Sequence, residues 1–197
     1  MNTPARTLPV FAGRERLIQR LDAVLAGAHG PLLPARVEAV LKDCITDPAI
    51  VLPAAVWKDP GPRYARRLLG LSERHGYSVI AMTWGPGQST PLHDHDDQWC
   101  VEAVWRGPLE VVPCDLLDEV DGICHFLPGK PQALSAGDSG HLQPPAQYHI
   151  IRNPSADTVA VSVHVYQSLM TRCRIFLPDG RGARTSAERQ LDLHPWP

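Results

Sequence analysis

Beyond Asp59-Pro60-Gly61-Pro62 the chain breaks into short runs of alternating or β-branched residues, each closed by a turn signal, and that rhythm leaves few folds open. The runs cover residues 63–69, 77–84, 98–105, 109–113, 123–127, 132–134, 148–153, 159–166 and 174–177. Between them stand Gly85-Pro86-Gly87, Arg106-Gly107-Pro108, Pro128-Gly129 and Asn153-Pro154-Ser155. Short strands punctuated in this way read as a β-sandwich or small barrel. Twenty prolines in 197 residues point the same way: a proline lacks the amide donor and clashes inside a helix. Only the first part of the chain departs from the pattern. Leu17, Ile18, Leu21, Val24 and Leu25 fall at helical spacing between Arg14 and about Ala28, and Val37, Val40, Leu41 and Cys44 repeat the pattern after Pro34. The expected organisation is a helical segment over residues 1–60, a β-barrel over 61–178 and a polar, peripheral tail over 179–197.

Charge and size narrow the function. Nineteen basic residues stand against 21 acidic ones, so the electrostatic footprint of a nucleic-acid or membrane-surface binder is missing. A small-molecule partner is expected, with no nucleic acid and no membrane. A chain of this length buries roughly 70% of the surface its unfolded form exposes, so it needs no metal merely to fold. Any metal therefore calls for a functional explanation. The five cysteines are scattered and odd in number, which fits neither a zinc knuckle nor a disulfide framework. No charged stretch leading into a long apolar run stands near the N-terminus, so reduced thiols and a cytoplasmic location are expected.

The chemistry begins at His93-Asp94-His95. Residues two apart in a strand share a face, so these imidazoles stand side by side as a metal-binding pair. The bland alternative is two histidines in a solvated polar turn. A third histidine, His149, follows in the run Pro144 to Asn153. Further on, Ser162, His164 and Tyr166 occupy one face of a strand whose other face carries Val159, Val161, Val163 and Val165. That strand either turns its polar face to solvent or lines a barrel cavity with it. No G-x-S-x-G elbow surrounds Ser162, which argues against a serine nucleophile.

These motifs resemble the cupin superfamily, a double-stranded β-helix or small jelly-roll barrel. Gly87, His93, His95 and Gly107 match its first motif, with Cys100 standing about where the family's acidic ligand falls. Gly137, Pro144, His149 and Asn153 match the second, with Ala146 in place of an inner glycine. Without the acidic ligand, three neutral imidazoles leave a divalent ion its full charge, and a substrate thiolate could supply the missing anion. Glu102, two residues past Cys100, is a rival ligand, although a supporting role behind the ligands suits its spacing better.

Within the cupins the chain resembles the cysteine dioxygenases and other thiol dioxygenases, over about residues 64 to 176. Cys100 five residues after His95, the triplet Ser162-Val163-His164-Val165-Tyr166, Cys173, the pair Tyr64-x-Arg66 and Trp84 fall on family positions. The resemblance implies an Fe(II) enzyme that converts L-cysteine and O₂ to cysteine sulfinic acid. His93, His95 and His149 would hold the iron. Arg66 and Tyr64 would bind the substrate, and Ser162 and His164 would orient the Tyr166 hydroxyl through a hydrogen-bond relay. Cys100 and Tyr166 stand where some relatives form a thioether; bacterial relatives often carry glycine at the Cys100 position, so the resemblance allows the link without requiring it. Alternation turns only one of Arg66 and Arg67 inward, and a shifted insertion exchanges them. The loop from Gly85 to Pro91 is close to that of bacterial 3-mercaptopropionate enzymes, which keeps that thiol as an alternative substrate. A cupin that binds a small ligand without turnover, and a Zn²⁺ or Mn²⁺ isomerase, are the alternatives of another class. His29, His75, His125, His141 and His194 lie outside the motifs and read as surface or structural residues.

Overall fold

A computed structural model describes residues 8–27 and 30–196. His29, and Ala28 to which the first helix is expected to run, lie outside the described residues. Helix α1 (Arg14–Gly27) buries Leu17, Leu21 and Leu25, and α2 (Leu33–Thr46) buries Val37, Leu41 and Cys44. A proline in its first turn starts α2, where a missing amide hydrogen costs nothing. A 3₁₀ turn at Ala54–Trp57 leads into the strands. No helix among the described residues is long and apolar enough to cross a membrane.

Twelve strands follow: β1 (Ala65–Ser72), β2 (Tyr77–Trp84), β3 (Leu92–His93), β4 (Cys100–Arg106), β5 (Leu109–Val120), β6 (Ile123–Pro128), β7 (Gln132–Leu134), β8 (Ser139–Leu142), β9 (Tyr148–Arg152), β10 (Ala160–Tyr166), β11 (Arg172–Pro178) and β12 (Arg184–Gln190). One sheet runs β1-β2-β10-β4-β8 and the other β6-β12-β11-β3-β9-β5-β7; β5 also pairs with β6, which curls the second sheet back on itself. The helices cover the outside of the first sheet. Their leucines and valines pack with Val79, Ala81, Val101, Val161, Val163 and Val165 in one core cluster. A second cluster, with Leu68, Ile80, Met82, Trp84, Val111 and Ile151, fills the space between the sheets. Strand β10 is therefore buried on both faces. Its valines meet the helical layer, and Ser162, His164 and Tyr166 face inward, not towards solvent. Gly107 closes the turn after β4 at φ +76°, and a Cβ there would lie 2.8 Å from the Ala160 Cα, so the turn requires glycine.

Three strand readings need correction. The run that ended at Pro113 in the sequence continues to Val120: Pro113 lies opposite His149 and marks a change of partner from β9 to β6. Strand β8 gave too weak an alternation to see. The tail is not peripheral, since β12 pairs with β11 over seven residue pairs and with β6 over two. Its residues are polar, and what holds it is the backbone ladder.

Candidate metal centre and substrate cavity

Strand pairing assembles the histidines. His93 lies directly opposite His149 in the β3–β9 ladder and opposite Ile175 in the β3–β11 ladder. His95 follows just beyond β3, in a loop anchored by Asp94, whose carboxylate accepts the Arg174 amide (2.8 Å) and Nε (3.0 Å). The ring centroids form a near-equilateral triangle: 4.7 Å for His93–His149, 4.9 Å for His95–His149 and 5.1 Å for His93–His95. One nitrogen from each ring lies within 4.8 Å of the others. The pair His93-x-His95 thus meets the third histidine, and the solvated-turn alternative is set aside.

The hydrogen bonds select the ligand atoms. The Nδ1 of His93 donates to the Pro91 carbonyl (3.1 Å) and that of His95 to the Gln147 carbonyl (2.8 Å), which leaves both Nε2 lone pairs free. Burial lowers the His93 pKa to about 4, that of His95 to about 3, and that of His149 well below its ordinary value. Neutral imidazoles are what a cation needs. Among the described residues neither ring nitrogen of buried His149 has a hydrogen-bond partner, and an orphaned buried polar atom is costly. A cation at Nε2 would satisfy one of them, so the residues present fit a divalent metal. The second, Nδ1, faces Glu102 Oε1 at 3.8 Å. Glu102 lies outside the nitrogen triangle; its Oε2 is 3.6 Å from His164 Nδ1, and burial raises its pKa to about 8. It stands behind the three histidines, not among them.

The interior face of β10 carries the rest. Trp84 Nε1 donates to Ser162 Oγ (2.9 Å), and Ser162 Oγ meets His164 Nε2 at 2.8 Å. The chain of bonds is therefore Trp84–Ser162–His164. It does not continue to Tyr166, as a relay would require: the His164 and Tyr166 rings stack, with centroids 5.9 Å apart and planes at 13°. Two residues on one strand face lie one above the other, which favours ring overlap over an end-to-end bond. Tyr166 stands directly opposite Cys100 in the β10–β4 ladder. Burial, the larger effect, and then the neighbouring Cys100 push the Tyr166 pKa well up, so its hydroxyl keeps its proton.

Arg66 points inward and Arg67 does not. The Nη2 of Arg66 donates to the Met170 carbonyl (3.1 Å), its Nη1 is buried without a partner, and the residue is 3% exposed. Arg67 reaches Thr83 Oγ1 (3.4 Å), a hydroxyl that donates to the Val56 carbonyl of the 3₁₀ turn. Arg66, Tyr64 and Tyr166 line one cavity with the three histidines. Tyr64 packs on Trp84, with centroids 4.9 Å apart.

Comparison with known proteins agrees with this geometry. The family described as cysteine dioxygenase type I matches residues 59–178. The chain belongs to that family. Curated cysteine dioxygenase type 1 proteins resemble it: that of Danio rerio is 27% identical over 117 residues, 58% of this chain and 56% of the relative. The Bos taurus protein is 24% identical over 160 residues, 81% of this chain and 76% of the relative. The chain thus spans little more than half the length of the first of these. Among solved structures, an uncharacterised Klebsiella pneumoniae protein with a double-stranded β-helix domain is 18% identical, covering 60% of this chain and 84% of that one at a TM-score of 0.45. An oxalate oxidase with the substrate analogue glycolate is 21% identical, covering 60% and 59% at a TM-score of 0.45. The family match, with the two facing sheets described above, makes the fold the cupin double-stranded β-helix.

In this cysteine dioxygenase-family chain, sequence reasoning missed part of the cavity wall. Arg189 and Leu191, from β12 and the residue just after it, line the cavity. Their only sequence signal is the alternation of exposed and half-buried residues along β12. Trp84 is a hydrogen-bond donor as well as a wall. Asn153 braces the turn after Trp84 from behind: its Nδ2 lies within hydrogen-bond distance of the carbonyls of Thr158 (2.7 Å), Trp84 (3.0 Å) and Gly85 (3.2 Å), which share its two hydrogens. His125 and His141 lie apart, facing Asp118 and Glu38. His194 lies against Arg66 as a structural residue, and its Nδ1 accepts the Arg66 amide (3.1 Å). All five cysteines are free and buried.

Proposed function

We propose that the protein is an Fe(II)-dependent thiol dioxygenase that converts a short anionic thiol and O₂ to the sulfinate, with L-cysteine as the first substrate to test and 3-mercaptopropionate as the second. The supporting observation is the triangle of neutral imidazoles opening on a cavity whose buried guanidinium, Arg66, has a free nitrogen. His93, His95 and His149 would hold the iron. Bound there, Fe(II) would acidify the thiol and activate O₂, with both oxygen atoms ending on sulfur.

The protein's own residues position the reactants. Arg66 offers a planar, bidentate donor to the substrate carboxylate. Tyr166, kept protonated, offers a second donor in the same cavity, and the Trp84–Ser162–His164 bonds fix the imidazole on which its ring stacks. Tyr64 narrows the cavity beside Arg66. Cys100, facing Tyr166, is the partner for a thioether; forming it removes one hydrogen from each side chain, with O₂ as the oxidant.

The test is aerobic turnover of protein loaded with Fe(II) under anaerobic conditions, with both thiols in parallel. Sulfinate with matching O₂ uptake is expected. Thiol binding without O₂ uptake would replace this reading with that of a non-catalytic ligand-binding cupin. Intact mass after turnover reads the thioether as a chain lighter by one pair of hydrogen atoms, and an unchanged mass removes the link. An Arg66→Gln change should lower kcat/KM for cysteine about 10- to 100-fold, the worth of a charge-assisted hydrogen bond. Its effect on 3-mercaptopropionate should be smaller, and Arg67→Gln should stay near wild type. The reverse order would assign the carboxylate to Arg67.

A further inference from the structure

We infer that the cavity is built for a thiol carrying two carboxylates, the second held by Arg189. The inference rests on the thiol dioxygenase reading and narrows its substrate class. Two guanidinium groups line the cavity, Arg66 from β1 and Arg189 from β12, and no aspartate or glutamate belongs to its wall. Arg189 lies directly opposite Cys173 in the β12–β11 ladder. Paired residues share a face, and Cys173 also lines the cavity, so the ladder fixes the Arg189 side chain inward.

Arg189 is half-buried, and among the described residues it has neither an ion pair nor a side-chain hydrogen bond. Its neighbours on β12 differ: Glu188 faces Arg172 at 3.6 Å and accepts from Gln190 at 2.9 Å. Arg66 likewise keeps one buried nitrogen without a partner. Two fixed cations facing one small cavity, with no acidic residue on its wall, repel each other until anions enter. A monocarboxylic thiol satisfies one of them. An α-ammonium, as in cysteine, adds positive charge that no acidic residue of the wall can balance.

The two arginines also stand at different depths. Arg66 is almost wholly buried and Arg189 only half-buried, and both, with Tyr64 and Leu191, separate the cavity from a second, open pocket on its outer side. Arg63 and His194 line that outer space, with Asp192 as its one acid. The charge field there favours approaching anions. A short thiol with a carboxylate near the sulfur and another at its outer end would reach both guanidinium groups, each as a bidentate pair.

The test titrates full-length, anaerobic Fe(II)-loaded protein with mercaptosuccinate, 3-mercaptopropionate and cysteine by calorimetry, then admits O₂ and measures the sulfinates. Mercaptosuccinate should bind about 10-fold tighter than 3-mercaptopropionate or more, the worth of one further charge-assisted pair. Arg189→Met should cut mercaptosuccinate affinity by that same factor beyond any loss for 3-mercaptopropionate, and Arg189→Lys should restore part of it. Equal affinities in the wild type, or an Arg189→Met change that weakens all three thiols by one factor, would overturn the inference. These outcomes separate from failure of the enzyme reading: sulfinate from cysteine or 3-mercaptopropionate with no dicarboxylate preference sinks only the Arg189 subsite, and sulfinate from none sinks both.

Discussion

A His149→Ala chain should lose its metal. The proposed ligand set is three imidazoles, so the change leaves two, both from the segment around β3. Among the described residues no carboxylate joins the histidine group, and Glu102 stands 3.8 Å from His149 Nδ1. Changes that touch only the supports of a metal ligand already cost about 10- to 100-fold in affinity; removing the ligand should cost about 100-fold or more. Iron retained after desalting, and competition against a chelator, read this directly. The fold should survive. The metal-free wild type buries an imidazole with two unsatisfied nitrogens, so metal-free His149→Ala should unfold at a similar temperature or higher, and only the metal-dependent gain in Tm should vanish. Full iron content in the variant would take His149 out of the set.

What the sequence shows and what it conceals follow from the same physics. His93 and His95 are legible as a close pair, but the shared strand face expected for them is not what joins them: only His93 lies in β3, and the loop beyond it carries His95. His149 is legible only through its motif, since the contact that matters is a pairing across 56 residues, His93 against His149. The fate of β10 was ambiguous because alternation reads identically whether the polar face meets water or a cavity; the helical layer over Val161, Val163 and Val165 decides it. Arg66 and Arg67 could not be separated by spacing, and the β1–β2 register resolves them by setting Arg67 on the face of Thr83 and the 3₁₀ turn. The Ser162–His164–Tyr166 relay failed on geometry that composition does not carry, since a stack and a hydrogen bond use the same residues. Trp84 extends the bonded chain at its other end, through Ser162. The concealed part is β12 and the chain after it, where polar residues gain their order from backbone pairing and leave almost no hydrophobic period.

That hidden segment carries the second large effect. Strand β1 is the edge of its sheet, and the C-terminal residues run along it. The His194 amide donates to the Arg66 carbonyl (2.7 Å), His194 Nδ1 accepts the Arg66 amide (3.1 Å), and Trp196 Nε1 donates to the Leu68 carbonyl (3.0 Å). Trp196 also packs, half-buried, on the helix-side core. A chain ending at Leu193 loses all three bonds and bares an edge strand, a site prone to pairing with other chains. At about 1 kcal/mol each the bonds are worth about 3 kcal/mol, and at roughly 2–4 °C per kcal/mol for a chain of this size Tm should fall by about 6–12 °C. The KM for anionic thiols should rise as well, because the backbone that aims Arg66 is no longer held on its outer side. Acid should weaken the same contact in the intact chain. Burial, and then Arg67, lower the His194 pKa, so the unfolded chain takes up the proton first and this part of the stability is lost as pH falls below about 6.5. A shortened chain with unchanged Tm and unchanged KM would show that β1 holds Arg66 without the strap.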